Sequence, residues 1–200
     1  IRGGLLFQKD SGEVSWADFT SFFIEIKARK YIDKVIIGDF INQWGQGLIQ
    51  AGGFSLGKSY ESIKSTQKFH LGAIPYSSSG ENGFYRGASL MFHIGSLQGQ
   101  SFFSYRKLDA YVRGDSTFTS FITDGYHRTL TEISHLENVH EFTKGVHLQW
   151  NWPKSNTQLY ANHTFSGYNL PKAPSALAYK QQEWHGNTVI TYSMGIQIPI

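Results

Sequence analysis

Strict alternation between apolar and polar residues in two stretches of the chain restricts it to a fold built from β-strands. In Thr188–Ile200, every second residue from Thr188 onward is large or β-branched, and most residues between them are small or polar. Glu141–Trp152 repeats the pattern with Phe142, Val146, Leu148, Trp150 and Trp152 on one parity. Because successive side chains of a strand point to opposite faces, each stretch predicts a strand with one apolar and one polar face.

The same period-two pattern recurs along the chain and predicts eight strands. Most have a length close to the roughly 9–11 residues that a tilted strand needs to cross a bilayer. The predicted strands are Gly3–Gln8, Asp18–Ala28, Ile32–Asn42, Phe84–Ile94, Gln100–Leu108, Asn138–Trp152, Thr157–Phe165 and Thr188–Ile200.

The connections between these strands alternate in length. Three are tight turns at Arg29–Tyr31, Gly95–Gly99 and Pro153–Asn156, whereas the others are longer: Lys9–Trp16, Gln43–Asn82, Asp109–Glu137 and Gly167–His185. Short turns on one side and long loops on the other are typical of membrane barrels. We therefore predict an all-β fold, an antiparallel up-and-down transmembrane β-barrel over residues 1–200. Its eight strands are either the whole barrel or a segment of a larger one, and the longest connection is either a surface loop or an inward-folded plug.

The composition supports a lipid-facing surface. Only 16% of the residues are charged and 16% are aromatic, whereas an average soluble domain has roughly 25% charged residues. No stretch approaches the roughly 18 consecutive apolar residues of a membrane-spanning helix, so a spanning chain of this composition would cross as a barrel. The alternative is a soluble β-sandwich, which also consists of short alternating strands.

Cysteine content and net charge exclude several kinds of site. The chain has no cysteine, which excludes a disulfide framework, a thiolate zinc site and a cysteine nucleophile. The net charge of +3 is modest, and the Lys and Arg residues form no dense run. A nucleic-acid partner is therefore not expected.

Several short motifs together resemble a known family. In this order and spacing they resemble Bacteroidota outer-membrane β-barrel proteins that are usually catalogued as helix-hairpin-helix domain-containing proteins. The resemblance covers roughly Gly3–Trp152 and implies an outer-membrane barrel with no settled biochemical activity. It does not extend to the family's helical repeats, so it implies no DNA-related role for this segment. The motifs are Gly38-Asp39-Phe40, Gly45-Gln46-Gly47-Leu48, Gly57-Lys58-Ser59, Phe84-Tyr85-Arg86-Gly87-Ala88, Ser104–Ala110 and Gly125–Thr129 followed by Glu132.

Two motifs resemble catalytic or nucleotide-binding patterns. Gly52 and Gly57-Lys58-Ser59 have the outer spacing of a phosphate-binding loop, but no strand–loop–helix periodicity surrounds them, so we interpret them as ordinary loop. His163 and Ser166 lie near each other in sequence, as a hydrolase pair would. Residues three apart on one strand point to opposite faces, so this pair predicts no catalytic contact.

Six residues are candidates for interactions in the barrel lumen or in the loops: Gln46, Arg86, Arg106, His127, Arg128 and His147. Arg86 has the parity of the apolar face and is expected near a rim, and Arg106 is expected to face the lumen. We prefer the interpretation that both arginines pair with Asp or Glu across the barrel interior over a role in solute selectivity. The histidines have no ligand spacing, so we predict no metal site, no cofactor and no catalytic residue.

The function expected from these observations is that of a non-enzymatic protein of the bacterial outer membrane. It would act as a channel, a transport component or a scaffold of an outer-membrane complex. Its partners would be outer-membrane lipid and other outer-membrane or periplasmic proteins. The alternatives are a soluble or surface β-sandwich that binds carbohydrate through exposed Trp and Tyr, and, more weakly, an outer-membrane lipid hydrolase that depends on His163.

Overall fold

A computed structural model describes residues 1–13, 15–28, 30–52, 70–175 and 177–198 of the chain. These residues form an all-β fold with eleven strands in one mostly antiparallel sheet. The strands are β1 (Arg2–Gln8), β2 (Phe19–Lys27), β3 (Ile32–Gln43), β4 (Gly72–Pro75), β5 (Tyr85–Ile94), β6 (Leu97–Leu108), β7 (Ala110–Arg113), β8 (Thr117–Phe121), β9 (Val139–Trp152), β10 (Thr157–Lys172) and β11 (Gly186–Gln197).

The eight long strands confirm the eight strands predicted from alternation, with ends shifted by a few residues. They pair in the order β1-β2-β3-β5-β6-β9-β10-β11, each antiparallel to its neighbours. β10 is longer than predicted because it continues through Gly167 to Lys172. The described strands belong to one sheet, whereas a sandwich packs two sheets face to face.

The pairing register keeps one set of side chains on each face across the whole sheet. Ile37 pairs with Ala88, which pairs with Phe103, and this row continues to Lys144, Phe165 and Ile190. We call the face that carries this row the outer face. Its apolar side chains are exposed on every long strand, including Ile24, Ile37, Phe103, Val146, Leu159, Ile190 and Met194.

The opposite, inner face is buried although much of it is polar. A small aromatic core of Ile36, Phe40, Trp44 and Phe102 lies there. Around this core are buried polar side chains, among them Ser89, Gln100, Ser104, Thr143, His147, Asn162 and Thr164. The alternation of the sequence therefore places apolar residues outside and polar residues inside, which is the reverse of a soluble fold.

Part of the longest predicted loop folds against the inner face. β4 pairs with the end of β3 between Phe40 and Gln43, and Lys34 Nζ donates to the Ala73 carbonyl at 2.5 Å. Trp44 and Ala73 are fully buried. Of the two arrangements open at the sequence level, the described ends of this connection match the inward-folded one.

The loop between β6 and β9 has structure of its own, which the sequence did not predict. It contains the β7–β8 hairpin and one turn of helix, α1 (Leu130–Ile133). Ala110, Phe118 and Val139 form a second small core there, covered by Tyr168 and Trp184. Among the described residues, no helix has the length and apolarity required to cross a membrane.

The sheet has two edges. β1 pairs only with β2 and β11 only with β10 among the described residues, so the strands shown here form an open sheet. The described residues of the three tight turns lie at one end of the sheet, and the described residues of the long loops lie at the other. The loops at that second end form the candidate site.

Candidate functional site

A cavity of about 410 Å³ opens among the long loops, above the inner face. We call it the loop cavity. Its walls come from the connection after β1, the segment before β5, the end of β6 and the loop before β9. Charged groups of both signs line it, including Asp18, Glu81, Arg106, Lys107, Asp109 and His127.

His127 joins two of these loops. Its Nδ1 lies 2.5 Å from Asp18 Oδ2 and its Nε2 lies 2.9 Å from Asp109 Oδ2. The imidazole is buried, with 7% of the side chain exposed. Asp18 directly precedes β2 and Asp109 directly follows β6, so this bridge connects parts of the chain that are distant in sequence.

Local structure holds the imidazole in place. Thr129 and Glu132 form a capping box at the start of α1, with reciprocal hydrogen bonds between side chain and backbone. Glu132 also accepts from the Arg128 amide at 2.8 Å. Such a cap fixes the backbone at a helix start, and here it fixes the residues that directly follow His127. On the other side, the amide of Glu137 donates to Asp109 Oδ1 at 2.7 Å.

The loop cavity shifts the pKa values of two groups outside the strands. Burial lowers the pKa of His127, but the hydrogen bonds to Asp18 and Asp109 outweigh it and raise this pKa to about 9. Burial, followed by the nearby Asp18 carboxylate, raises the pKa of Glu81 to about 7. His127 is therefore protonated at neutral pH, with both ring nitrogens engaged. It has no free nitrogen to act as a general base.

Arg86 and Arg106 both line the loop cavity, and both guanidinium groups lie over the Phe84 ring, 5.5 and 4.0 Å from its centre. Arg86 forms a two-point ion pair with Asp39, from Nε to Oδ1 at 2.7 Å and from Nη2 to Oδ2 at 2.9 Å. Asp39 is fully buried. The preferred interpretation of an acidic partner therefore fits Arg86, although the partner lies on the neighbouring strand.

Arg106 points to the inner face, as its parity predicts. It donates to the backbone carbonyls of Phe84 at 2.6 Å and Glu81 at 2.9 Å, and its guanidinium lies 4.0 Å from the centre of the Phe84 ring. Its hydrogen bonds thus go to backbone carbonyls, whereas an acidic partner was preferred. This arrangement holds the segment before β5 against the end of β6.

His147 belongs to a polar cluster in the middle of the inner face. Its Nδ1 lies 2.5 Å from Asn162 Oδ1, and its ring stacks on His70 with centroids 4.1 Å apart. Next to it, the Trp44 indole donates to Gln100 Oε1 at 2.7 Å. Gln46 follows in the turn after Trp44 and is half-buried. The cluster holds the inward-folded segment against the inner face of β6 and β9.

The remaining predicted residues lie apart from these groups. Arg128 lies in the loop between β8 and α1, with its guanidinium 3.9 Å from the Tyr126 ring centre and its side chain beside Gly12. His163 is on the outer face and stacks on Tyr192 at 4.7 Å, whereas Ser166 bonds with Thr143 at 2.8 Å on the inner face. The two side chains thus lie on opposite faces of the sheet, as their spacing of three residues predicts. The Gly57-Lys58-Ser59 motif lies outside the described residues.

Sequence reasoning selected His127 but missed its partners. Asp18 is 109 residues away, and nothing in its local pattern marks it as part of a site. Asp109 is only the first residue of the predicted connection Asp109–Glu137. The contact between them depends on the pairing of strands, which periodicity alone does not show.

Comparisons with known proteins add no relative. No family model, curated protein or solved structure matches the chain. The resemblance to the Bacteroidota family therefore remains a prediction.

Proposed function

We propose that this chain forms the wall of a bacterial outer-membrane β-barrel and acts as a non-enzymatic scaffold or gated transport component. The observation that supports this best is the reversed polarity of the sheet. Its outer face is apolar and exposed on every long strand, while its inner face buries polar side chains. In a membrane barrel, the apolar outer face would contact lipid and the polar inner face would line the interior.

The outer face of β11 illustrates the energetic argument. Met194 is 81% exposed, Tyr192 72% and Ile196 60%. Leaving a large apolar side chain in water forgoes about 1.5–3 kcal/mol relative to burying it. Such side chains continue across the sheet in a band, whereas a soluble monomer rarely exposes a contiguous apolar patch of this kind. Contact with acyl chains removes the cost.

The segment folded against the inner face favours a scaffold or a gated component over an open channel. Trp44 and β4 occupy space that an open pore would leave to water. The buried hydrogen bonds of Trp44 and Gln100 hold this segment in place. In a planar bilayer we therefore expect no steady conductance from the resting protein.

The two ends of the sheet define an orientation. Outer-membrane barrels have short turns on the periplasmic side and long loops outside the cell. We infer that the loop cavity faces the exterior and that the turn at Pro153–Asn156 faces the periplasm. This location agrees with the family that the sequence motifs resemble, whose membership we likewise propose.

Cysteine labelling in intact cells tests this proposal, because the chain has no native cysteine. Leu130→Cys lies in a long loop and Lys154→Cys in a tight turn. With the protein expressed in its host, a membrane-impermeant maleimide should label Leu130→Cys in intact cells and Lys154→Cys only after the outer membrane is permeabilised. Equal labelling of both, or recovery of the protein in the soluble fraction, would contradict the proposal.

A further inference from the structure

Glu13 lies beside the Asp18–His127 pair in the described loops. The three side chains each bring one ligand atom to within 4.8 Å of the others. Glu13 belongs to the loop after β1, Asp18 precedes β2, and His127 lies between β8 and α1. The cluster thus joins two loops that lie far apart in the sequence.

One atom of this cluster is buried without a partner. Glu13 is 6% exposed, and its Oε2 accepts from the Asp10 amide at 2.8 Å. Its Oε1 is buried and has no hydrogen-bond partner among the described residues. A buried carboxylate oxygen that lacks a donor is costly. A cation bound at the cluster would supply the missing interaction.

The His127 ring also has a carboxylate partner for its second nitrogen, as metal-binding histidines usually do. Its Nε2 faces Asp109 Oδ2 at 2.9 Å, and Asp109 is itself held by the Glu137 amide. In metal sites, the ligating histidine usually donates its other N–H to such a carboxylate, which fixes the ring orientation. This arrangement leaves His127 Nδ1 facing Asp18, with a Glu13 carboxylate oxygen in the same cluster.

We propose that Glu13, Asp18 and His127 bind a divalent transition-metal ion such as Zn²⁺. One imidazole nitrogen and two carboxylate oxygens suit zinc with a water as fourth ligand, whereas Ca²⁺ takes six to eight oxygens. The ion replaces the proton between His127 Nδ1 and Asp18. It also offsets the excess negative charge of Glu13, Asp18 and Asp109, and it ties the loop after β1 to the loop before β9.

Calorimetric titration of the folded chain in detergent micelles with ZnCl₂ tests this proposal, which does not depend on the proposed function. We expect one Zn²⁺ per chain. Glu13→Gln and Asp18→Asn should weaken binding at least about tenfold, and Asp109→Asn should weaken it about 10- to 100-fold. His135→Gln is the matched control, because His135 lies in the same loop outside the cluster, and it should bind like the wild type.

Folding of each variant is checked by circular dichroism before titration. If Asp18→Asn fails to fold, Glu13→Gln decides, since the described hydrogen bond of Glu13 is the local one to Asp10. The proposal is overturned if the wild type shows no saturable Zn²⁺ binding, or if folded Glu13→Gln binds as the wild type does. Equal affinity for CaCl₂ would overturn the assignment to a transition metal.

Discussion

At the residue scale, the most demanding feature is a fully buried carboxylate in a strand whose outer face is apolar and exposed. Asp39 is 0% exposed, and it accepts from Arg86 and from the Phe22 amide. Sequence parity placed Arg86 on the outer face near a rim but could not identify Asp39 as its partner. The pairing of β3 with β5, which puts Asp39 opposite Arg86, makes the contact.

Removing the guanidinium should therefore be costly. Arg86→Gln leaves Asp39 buried without its counter-charge. Breaking a buried pair in this way costs about 3–5 kcal/mol, and we expect the lower end because Arg86 is 40% exposed. Urea unfolding in lipid vesicles measures the change. Lys107→Gln, which breaks an exposed pair with Glu137, is the control, and an equal loss in both variants would refute this account.

The outer face makes a second prediction at this scale. Leu148 is 41% exposed on the outer face of β9, and under the proposed function an arginine there would face hydrocarbon. Leu148→Arg should destabilise the folded protein in vesicles by about 2–4 kcal/mol. Leu130→Arg is the same substitution at a loop position with 88% exposure and should have little effect. If Leu148→Arg were equally harmless, the outer face would not contact lipid.

At the scale of elements, the sequence predicts what depends on local alternation and misses what depends on distant contacts. The eight long strands repeat their pattern over enough residues to be recognised. β4, β7 and β8 are too short to show the alternation, and they form through contacts with distant or neighbouring strands. β4 pairs with β3, β8 pairs with β10, and β7 pairs with β8. The His127 bridge was missed for the same reason.

The inward-folded segment depends on a glycine in β9. A Cβ atom on Gly145 would lie 2.5 Å from the Phe102 ring and 2.9 Å from the Trp44 ring. Gly145→Ala should therefore displace Trp44 and destabilise the protein by about 1–3 kcal/mol. Unfolding measurements, with Trp fluorescence as a second probe, check this. Gly167→Ala is the control, because its Cβ meets only ordinary contacts at 3.4 Å and beyond. Equal effects at both positions would show that the packing of Trp44 is unimportant.

At the scale of the whole molecule, the central question is whether and how the sheet closes into the proposed barrel. An eight-stranded barrel has an interior just wide enough for its own side chains. This inner face also covers Trp44, His70 and β4, so the proposed barrel would need more than eight strands to enclose them. If the proposal is right, the edges of β1 and β11 would have to pair with other strands in lipid, because backbone groups there need internal partners.

A cross-linking experiment tests the wider wall. If eight strands closed on themselves, β1 and β11 would be adjacent, and cysteines at facing positions would form a disulfide. We expect no intramolecular disulfide between a cysteine at any of Leu5, Leu6 or Phe7 and one at Tyr192, Ser193 or Met194. Efficient formation of any such bond in the folded, membrane-inserted protein would show that this chain closes alone.

The claim that the outer face contacts lipid is tested most directly by spin labels along β9. Single cysteines at residues 146–151 would be labelled in the bilayer-inserted protein, and their accessibility to oxygen and to a water-soluble nickel chelate would be measured. Val146, Leu148 and Trp150 lie on the exposed outer face, whereas His147 and Gln149 are buried on the inner face. We predict oxygen accessibility with a period of two residues, high at the outer positions, and exclusion of the nickel chelate from them. Nickel accessibility at Val146 and Leu148 as high as at a label on Leu130 would contradict the account.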